Sequence, residues 1–295
     1  MSDKSSAKKL TVGIPAGSLR ESTIELFQRA GFALSLPSRS YFPQIDDPEM
    51  AAVMFRAQEM SRYVADGVVD VGITGKDWIE ENESDVIEVA ELVYAKRNLQ
   101  PVRWVLAVPE ESKYEKPEDL AGGIVATELV KITRKYFAQK GIDVKVEFSW
   151  GATEVKARLV DAIVDVTETG ASLRANGLRI IDTIMVSTPR LIANKQAWSD
   201  EWKREKIENI ALLLQGAIAA YQKVGLKMNV RKSDLQAVIK LLPAEKSPTV
   251  SNLSDPDWVA VEVVLPEEVE RYLIPSLKRA GATGIITYRL NKVIS

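Results

Sequence analysis

The sequence predicts an α/β protein with two lobes of alternating strands and helices and a C-terminal βαββαβ domain. Three observations carry the prediction. Short apolar runs of the kind that fill internal parallel strands alternate with stretches of helical spacing. Small-residue turns follow several of these runs, at Gly17-Ser18, Thr74-Gly75 and Thr169-Gly170, the position where open α/β sheets bind ligands. From residue 225 onward the order becomes strand, helix, two strands, helix and strand, a split unit of the ferredoxin-like kind.

Composition sets the chemistry available. The chain has 295 residues, enough for two or three domains that each bury a core. Its net charge of −2 gives no basic field for nucleic acid, and no apolar run is long enough to span a membrane. The N-terminal MSDKSSAKK is polar and lacks the apolar core of a signal peptide, so a cytoplasmic location is expected. There is no Cys and no His. These absences exclude disulfides, thiolate nucleophiles, Ser-His triads, imidazole acid–base catalysis and the usual zinc sites. Carboxylates, Lys, Arg, hydroxyls and backbone amides remain, with a metal ion held through oxygen; Mg²⁺ on a phosphorylated substrate suits that set.

In chain order, residues 10–15 read as the first strand. They lead through Gly17 into Ser18-Leu19-Arg20-Glu21, a capping-box pattern opening a helix to about Ala30, with Gly31 just beyond its end. Pro37, Pro43 and Pro48 make residues 32–48 loop or hairpin. Helical spacing predicts a helix from Met54 to Ala65, residues 67–75 read as turn, strand and turn, and a helix begins at Asp77. Arg39 and Arg56 are the basic side chains of note here, although a solvated or salt-bridged Arg accounts for either. Residues 102–108, 124–127 and 144–148 are strands, with a helix between Leu129 and Gly141. Residues 179–185 and 190–193 return as strands, which places a crossover near residues 186–188. One long helix is expected over residues 199–222. The resulting division is a first lobe of residues 1–103 and 188–214, a second lobe of residues 104–187 and a C-terminal domain of residues 215–295.

The most informative stretch is residues 161–177, DAIVDVTETGASLRANG. An apolar strand ends near Asp165 or Val166, and apolar character resumes at helical spacing from Leu173. Between them lie Thr167, Glu168, Thr169, Gly170, Ala171 and Ser172, a loop of small side chains at a helix N-terminus. Such a loop offers N–H groups and hydroxyls to an anion such as a phosphate. Asp165 is placed to accept hydrogen bonds from a sugar diol. The same pattern also describes an ordinary capped strand-turn-helix joint. Gly17-Ser18 is a second candidate anion site with the same structural alternative.

The order of apolar run, Asp, three residues and Thr-Gly-small-Ser resembles the loop with which phosphoribosyltransferases hold 5-phosphoribosyl diphosphate (PRPP). Arg56-Ala57-Gln58-Glu59, Gly67 to Gly75, Trp150-Gly151-Ala152-Thr153-Glu154-Val155, Asn176-Gly177, Gln215-Gly216, Ser247-Pro248-Thr249 and Asp255-Pro256-Asp257-Trp258 extend the likeness over nearly the whole chain. Together they resemble the long form of ATP phosphoribosyltransferase. The resemblance implies two periplasmic-binding-protein-like lobes, ATP and PRPP in the cleft, Mg²⁺, an ACT-like C-terminal domain that binds L-histidine as feedback inhibitor, and homo-oligomers, a dimer and a hexamer. It implies transfer to N1 of the ATP adenine, releasing diphosphate, in the first step of histidine biosynthesis.

Carried onto this chain, the resemblance assigns catalysis to Asp165, Arg56 and Glu154. PRPP falls to Asp165, Glu168, Thr169, Gly170, Ala171, Ser172 and Leu173, and ATP or diphosphate to Gly17, Ser18, Arg39, Arg56, Thr74 and Gly75. Histidine falls to Asn229, Ser247, Thr249, Val264 and Gly284, and no side-chain metal ligands are assigned. Ala16 and Ser18 stand where members often carry Lys and Arg, Leu129 where many have a Tyr near the adenine, and Ser172 where Thr is usual. Two other readings remain at this stage. One is a phosphoribosyltransferase with another acceptor, the other a two-lobed ligand-binding regulatory protein.

Overall fold

The computed structural model describes residues 8–36, 40–94, 101–243 and 247–294. Its contacts divide the chain into two units between Ala211 and Leu212. Elements of the first unit are β1 (Leu10–Ala16), α1 (Arg20–Ala30), β2 (Leu34–Ser35), β3 (Gln44–Ile45), β4 (Met50–Arg56), α2 (Ala57–Ala65), β5 (Val71–Gly75), α3 (Lys76–Glu81) and β6 (Ile87–Glu91). They continue as β7 (Val102–Pro109), β8 (Ile124–Thr127), α4 (Val130–Gln139), β9 (Lys145–Phe148), α5 (Thr153–Lys156), β10 (Ala162–Thr167), α6 (Ala171–Ala175), β11 (Leu178–Ser187), β12 (Pro189–Ala193) and α7 (Lys195–Ser199). Helix α8 (Glu201–Ala220) carries the chain across the division.

Ten of these strands form two five-stranded sheets of the same design, and β2 pairs with β3 in a two-stranded one. The first has the order β4-β1-β5-β12-β6 and the second β9-β8-β10-β7-β11. In each, the first three strands are parallel and the fourth runs antiparallel to both its neighbours. That fourth strand, β12 or β7, is the one by which the chain enters the sheet after a crossover. The first unit therefore holds two α/β sheets of one design, joined by the two crossovers.

The sequence explains the central strands by burial on both faces. All five residues of β5 are buried, as are five of seven in β1. Gly13 and Gly72 pair side by side between β1 and β5, and the sulfur of Met60 from α2 lies over them. A Cβ at either glycine would collide with that sulfur, so both glycines serve helix-on-sheet packing. Met60, Val64, Val69, Ile79 and Ile192 then close this side of the core. In the second sheet Trp104, Leu106, Val108, Val125, Phe137 and Val164 do the same.

Several sequence expectations change. Met50–Arg56 is a strand where a helix was expected from Met54. Its Met and Ala residues favour helices, but the segment alternates buried and half-buried along β1 in a seven-residue parallel register. Strand β6 was not foreseen. The Ser18 capping box does not form: residues 17–19 make a 3₁₀ turn, and α1 begins at Arg20 without a side-chain cap. Gly31 does end α1, at φ 101°. The long helix expected over residues 199–222 is α8, Glu201–Ala220; the short α7 precedes it, and Asp200 between them is extended and caps α8 by accepting the Lys203 N–H.

The second unit contains β13 (Lys223–Arg231), α9 (Leu235–Ile239), β14 (Thr249–Asn252), β15 (Trp258–Pro266), α10 (Glu267–Arg279) and β16 (Thr283–Arg289). The sheet order β14-β15-β13-β16, antiparallel throughout, is that of the split βαββαβ unit. One face is apolar, with Val224, Leu226, Met228, Val230, Val259 and Val261 in a core shared with Val238 of α9 and Leu277 of α10. Among the described residues no helix is long and apolar enough to cross a membrane.

Asp70 precedes β5 and is the main polar tie in the first unit. Its carboxylate accepts the Thr11 N–H at 2.9 Å and pairs with Lys203 of α8 at 2.6 Å. Asp70→Ala leaves a backbone donor and an ammonium without their partner. Replacement should cost about 1–3 kcal/mol, read as a lower urea midpoint at unchanged m-value.

Candidate functional site

The carboxyl ends of the parallel strands converge on one cavity in the first unit, about 810 Å³ in volume. Strand β1 ends at Ala16 beside Arg56 of β4, and their turns bring Gly17, Ser18 and Arg56 into the lining, with Gly75 at the end of β5. From the second sheet come Glu128 after β8, Val166 and Thr167 of β10, and Glu168. Ser187, Thr188 and Pro189, at the second crossover, line the cavity as well. Parallel strands with a common direction leave their carboxyl-end loops free, which is why ligand groups collect on this edge.

Asp165 lies in β10, one residue before the cavity-lining Val166, and is half-buried. Burial pushes its carboxyl up to about 6, and the negative charges of Glu154 and Glu128 add to the rise against the Val166 amide that it accepts at 2.8 Å. The loop after it is held from within. Thr167 is buried and its hydroxyl accepts the Gly170 N–H at 2.7 Å, while the Thr169 hydroxyl accepts the Ala171 N–H at 3.4 Å. Gly170 has φ 75°, and a Cβ there would lie 2.8 Å from the guanidinium of Arg174. Leu173 is buried in the core with Val105 and Ile163 and anchors the loop from below. Among the described residues, the N–H groups of Thr169, Ser172 and Leu173 have no protein acceptor.

Other expected positions fall in different surroundings. Ser172 donates its hydroxyl to Glu154 at 2.8 Å, so Glu154 holds the loop. Thr74 is fully buried and donates to the Ala57 carbonyl at 2.7 Å, which keeps its hydroxyl from the cavity. Arg56 is exposed at the N-terminus of α2 and pairs with no carboxylate among the described residues. Arg39 lies outside the described residues. Leu129 is fully buried in the second-sheet core and cannot stack on a base.

In the second unit, Asn229, Thr249 and Val264 share the sheet face opposite the helices. Thr249 and Lys227 both oppose Glu262, Asn229 opposes Ala260, and Val264 opposes Gly225. Gly284 lies against Asn229, and Ser247 is exposed just before β14.

Sequence reading missed Tyr41, Asp77, Trp78, Tyr94, Trp104 and Glu128, all of which line the cavity. Tyr41 is 68% exposed, an aromatic ring available to a planar ligand. No local pattern marks these residues; they come from five separate segments that only the fold assembles.

The matching family models fit this architecture. The model described as ATP phosphoribosyltransferase matches residues 56–216, and that described as HisG, C-terminal domain, matches residues 220–292. The chain belongs to the ATP phosphoribosyltransferase family. It is therefore a pentosyl-transferring enzyme of the first step of histidine biosynthesis. The ATP phosphoribosyltransferase of Chlorobium phaeobacteroides is 60% identical over 286 residues, 97% of each chain. That of Solibacter usitatus is 58% identical over 286 residues, 97% of this chain and 99% of the relative. Among solved structures, a chain of the ATP phosphoribosyl transferase (HisG:HisZ) complex from Thermotoga maritima has a TM-score of 0.61 at 28% identity, covering 71% of this chain and 98% of that one.

As the ligand of a ribose diol, Asp165 offers two acceptor oxygens when ionised, whereas protonation turns one of them into a donor and weakens the grip. With its carboxyl at about 6, kcat/KM for PRPP should rise with pH through that value and level above it. Asp165→Asn should flatten this limb and lower kcat/KM by about 10- to 100-fold, the range of a hydrogen bond to a charged group. A pH–rate profile of both enzymes checks this.

Proposed function

We propose that ATP and PRPP meet in the cavity between the two sheets of the first unit, with PRPP on the second sheet and ATP spanning to the first. One observation carries this reading: Thr167 and Glu168, where the Gly170 loop begins, line the same cavity as Gly17, Ser18 and Arg56, and Arg56 pairs with no carboxylate among the described residues. The two sheets correspond to lobes of residues 1–103 with 188–214 and residues 104–187, followed by the regulatory domain of residues 215–295.

Asp165 binds the ribose hydroxyls, and the backbone of residues 168–173 binds the 5′-phosphate. Ser172 and Glu154 keep the loop in shape. Arg56, with the Gly17-Ser18 turn and the backbone at Gly75, receives diphosphate or the ATP phosphates. Tyr41 offers the stacking ring that Leu129 cannot. Adenine N1 attacks C1 of PRPP with its own lone pair as the C1–O bond to diphosphate breaks, so no strong base is needed and a chain without His or Cys suffices. The protein holds the reactants in line and stabilises charge at the ribosyl carbon and the departing diphosphate.

Among the described residues no three metal-ligating side chains come together. The fit is to Mg²⁺ carried mainly by diphosphate oxygens, with one or two carboxylates such as Asp165 and Glu128 nearby, as this ion prefers. The ion would neutralise the leaving group.

For regulation, L-histidine binds at the uncovered sheet face of the second unit, at Asn229, Ser247, Thr249, Val264 and Gly284, in a cytoplasmic enzyme that assembles as dimer and hexamer.

The test is the rise in near-ultraviolet absorbance from phosphoribosyl-ATP with ATP, PRPP, Mg²⁺ and pyrophosphatase. A rise that requires both substrates is expected; folded protein that gives none, yet turns over PRPP with another base, overturns the choice of acceptor. Tyr41→Ala should raise KM for ATP by about 5- to 100-fold, the worth of one base–aromatic stack, with KM for PRPP little changed. Added L-histidine should suppress the rate, and Thr249→Val should weaken that suppression several-fold without altering the rate in its absence; equal suppression of both enzymes places the inhibitor elsewhere.

A further inference from the structure

Helix α3 makes more contacts to the opposite sheet than a connecting helix requires. Its first turn meets both strands through which the chain passes between sheets. The Lys76 N–H donates to the Thr188 carbonyl at 3.0 Å, in the second crossover itself. The Asp77 N–H donates to the Ser187 hydroxyl at 3.1 Å, at the last residue of β11. The Asp77 carboxylate accepts the indole N–H of Trp104, in the strand that follows the first crossover, at 2.6 Å, and the Trp78 N–H at 3.0 Å. Trp78 packs edge-on against Trp104, with ring centroids 6.1 Å apart at 87°. The last turn of α3 is tied too, because Glu81 accepts the N–H groups of Lys131 and Ile132 at the start of α4 at 3.0 Å.

Asp77 is 4% exposed, a costly place for a carboxylate. Room for it is made by Gly75, where a Cβ would collide with the Asp77 oxygen. Gly75 thus serves this contact besides ending β5. Asp77, Trp78, Trp104 and Ser187 all line the cavity, on the side of the crossovers.

We propose that Asp77 is a positioning residue for phosphoribosyl transfer: by joining α3 to β7 and β11 at the two crossovers, it fixes the spacing of the two sheets across the cleft in which both substrates must align. It touches neither reacting atom. The inference rests on that cavity being the substrate site. Because ATP and PRPP are held on opposite sheets, a loosened spacing weakens both together, whereas a lost ligand contact weakens one.

The test is steady-state kinetics of Asp77→Ala and Asp77→Asn with each substrate varied, alongside tryptophan fluorescence with acrylamide. Asp77→Ala should raise KM for ATP and for PRPP together and lower kcat/KM by roughly 10- to 100-fold, the scale of an ångström of misplacement. Its emission should shift to longer wavelength and quench more readily as Trp104 loses its acceptor. Asp77→Asn keeps an oxygen for the indole and should restore most of both. A folded Asp77→Ala enzyme with native KM for both substrates, and merely a lower melting temperature, overturns the proposal. If Asp77→Ala does not fold, Trp104→Phe decides: it removes the donor and keeps an aromatic ring, so the same paired rise in KM supports the assignment and native kinetics refute it. Failure of the native enzyme to use ATP and PRPP would instead refute the substrate reading.

Discussion

Each crossover between the sheets feeds an antiparallel strand into the interior of an otherwise parallel sheet. Strand β12 lies between β5 and β6, and β7 between β10 and β11. An interior strand has hydrogen bonds on both edges, so neither sheet can be completed until the chain has crossed between them. This constraint aims the carboxyl ends of both sheets at one cavity and places the crossovers along its side. The nucleotide-sized space, the facing loops and the Asp77 contacts all follow from it.

The electrostatics of the cavity divide by sheet. The second sheet contributes Glu128 to the lining, with Asp165 and Glu154 near enough that the charges of Glu128 and Glu154 raise the cost of ionising Asp165. On the proposed reading their oxygens would take the hydroxyls and a divalent cation, leaving the phosphates to backbone N–H groups that carry no net charge. The first sheet supplies Arg56, which pairs with no carboxylate among the described residues. A substrate with a neutral diol between two anionic ends meets acceptors in the middle and donors at its ends.

Much of this was legible in the sequence, and the misses have physical causes. Residues 161–177 were readable because strand, acid, Gly and hydroxyls fall within one short segment and so constrain one another locally. The βαββαβ order was readable for the same reason. Strand β4 was misread because its helix-favouring composition is overridden by pairing with β1, a partner some forty residues earlier. Ser18 looked like a cap, yet Gly17 at φ 82° starts a 3₁₀ turn and leaves Ser18 in the cavity lining, not capping the helix. Asp77 was invisible because an acid in the first turn of a helix reads as a favourable charge at the dipole, whereas its partners Trp104 and Ser187 lie 27 and 110 residues away.

That last case bears on how a chain without His or Cys can be a catalyst. Adenine brings its own lone pair and diphosphate leaves as a stable anion, so little covalent work is asked of the protein. What is asked is geometry: two polyanions held in line, with reacting atoms near contact distance. Geometry is set by whatever fixes one sheet against the other, and surface charge pairs, screened and mobile, fix little. A buried carboxylate is stiff because moving it exposes an unmet charge, and an indole N–H has a single direction in which to donate. A residue that governs the rate therefore need not touch substrate, and Asp77 is placed at the crossovers, where a small rotation becomes the largest displacement at the far rim of the cleft.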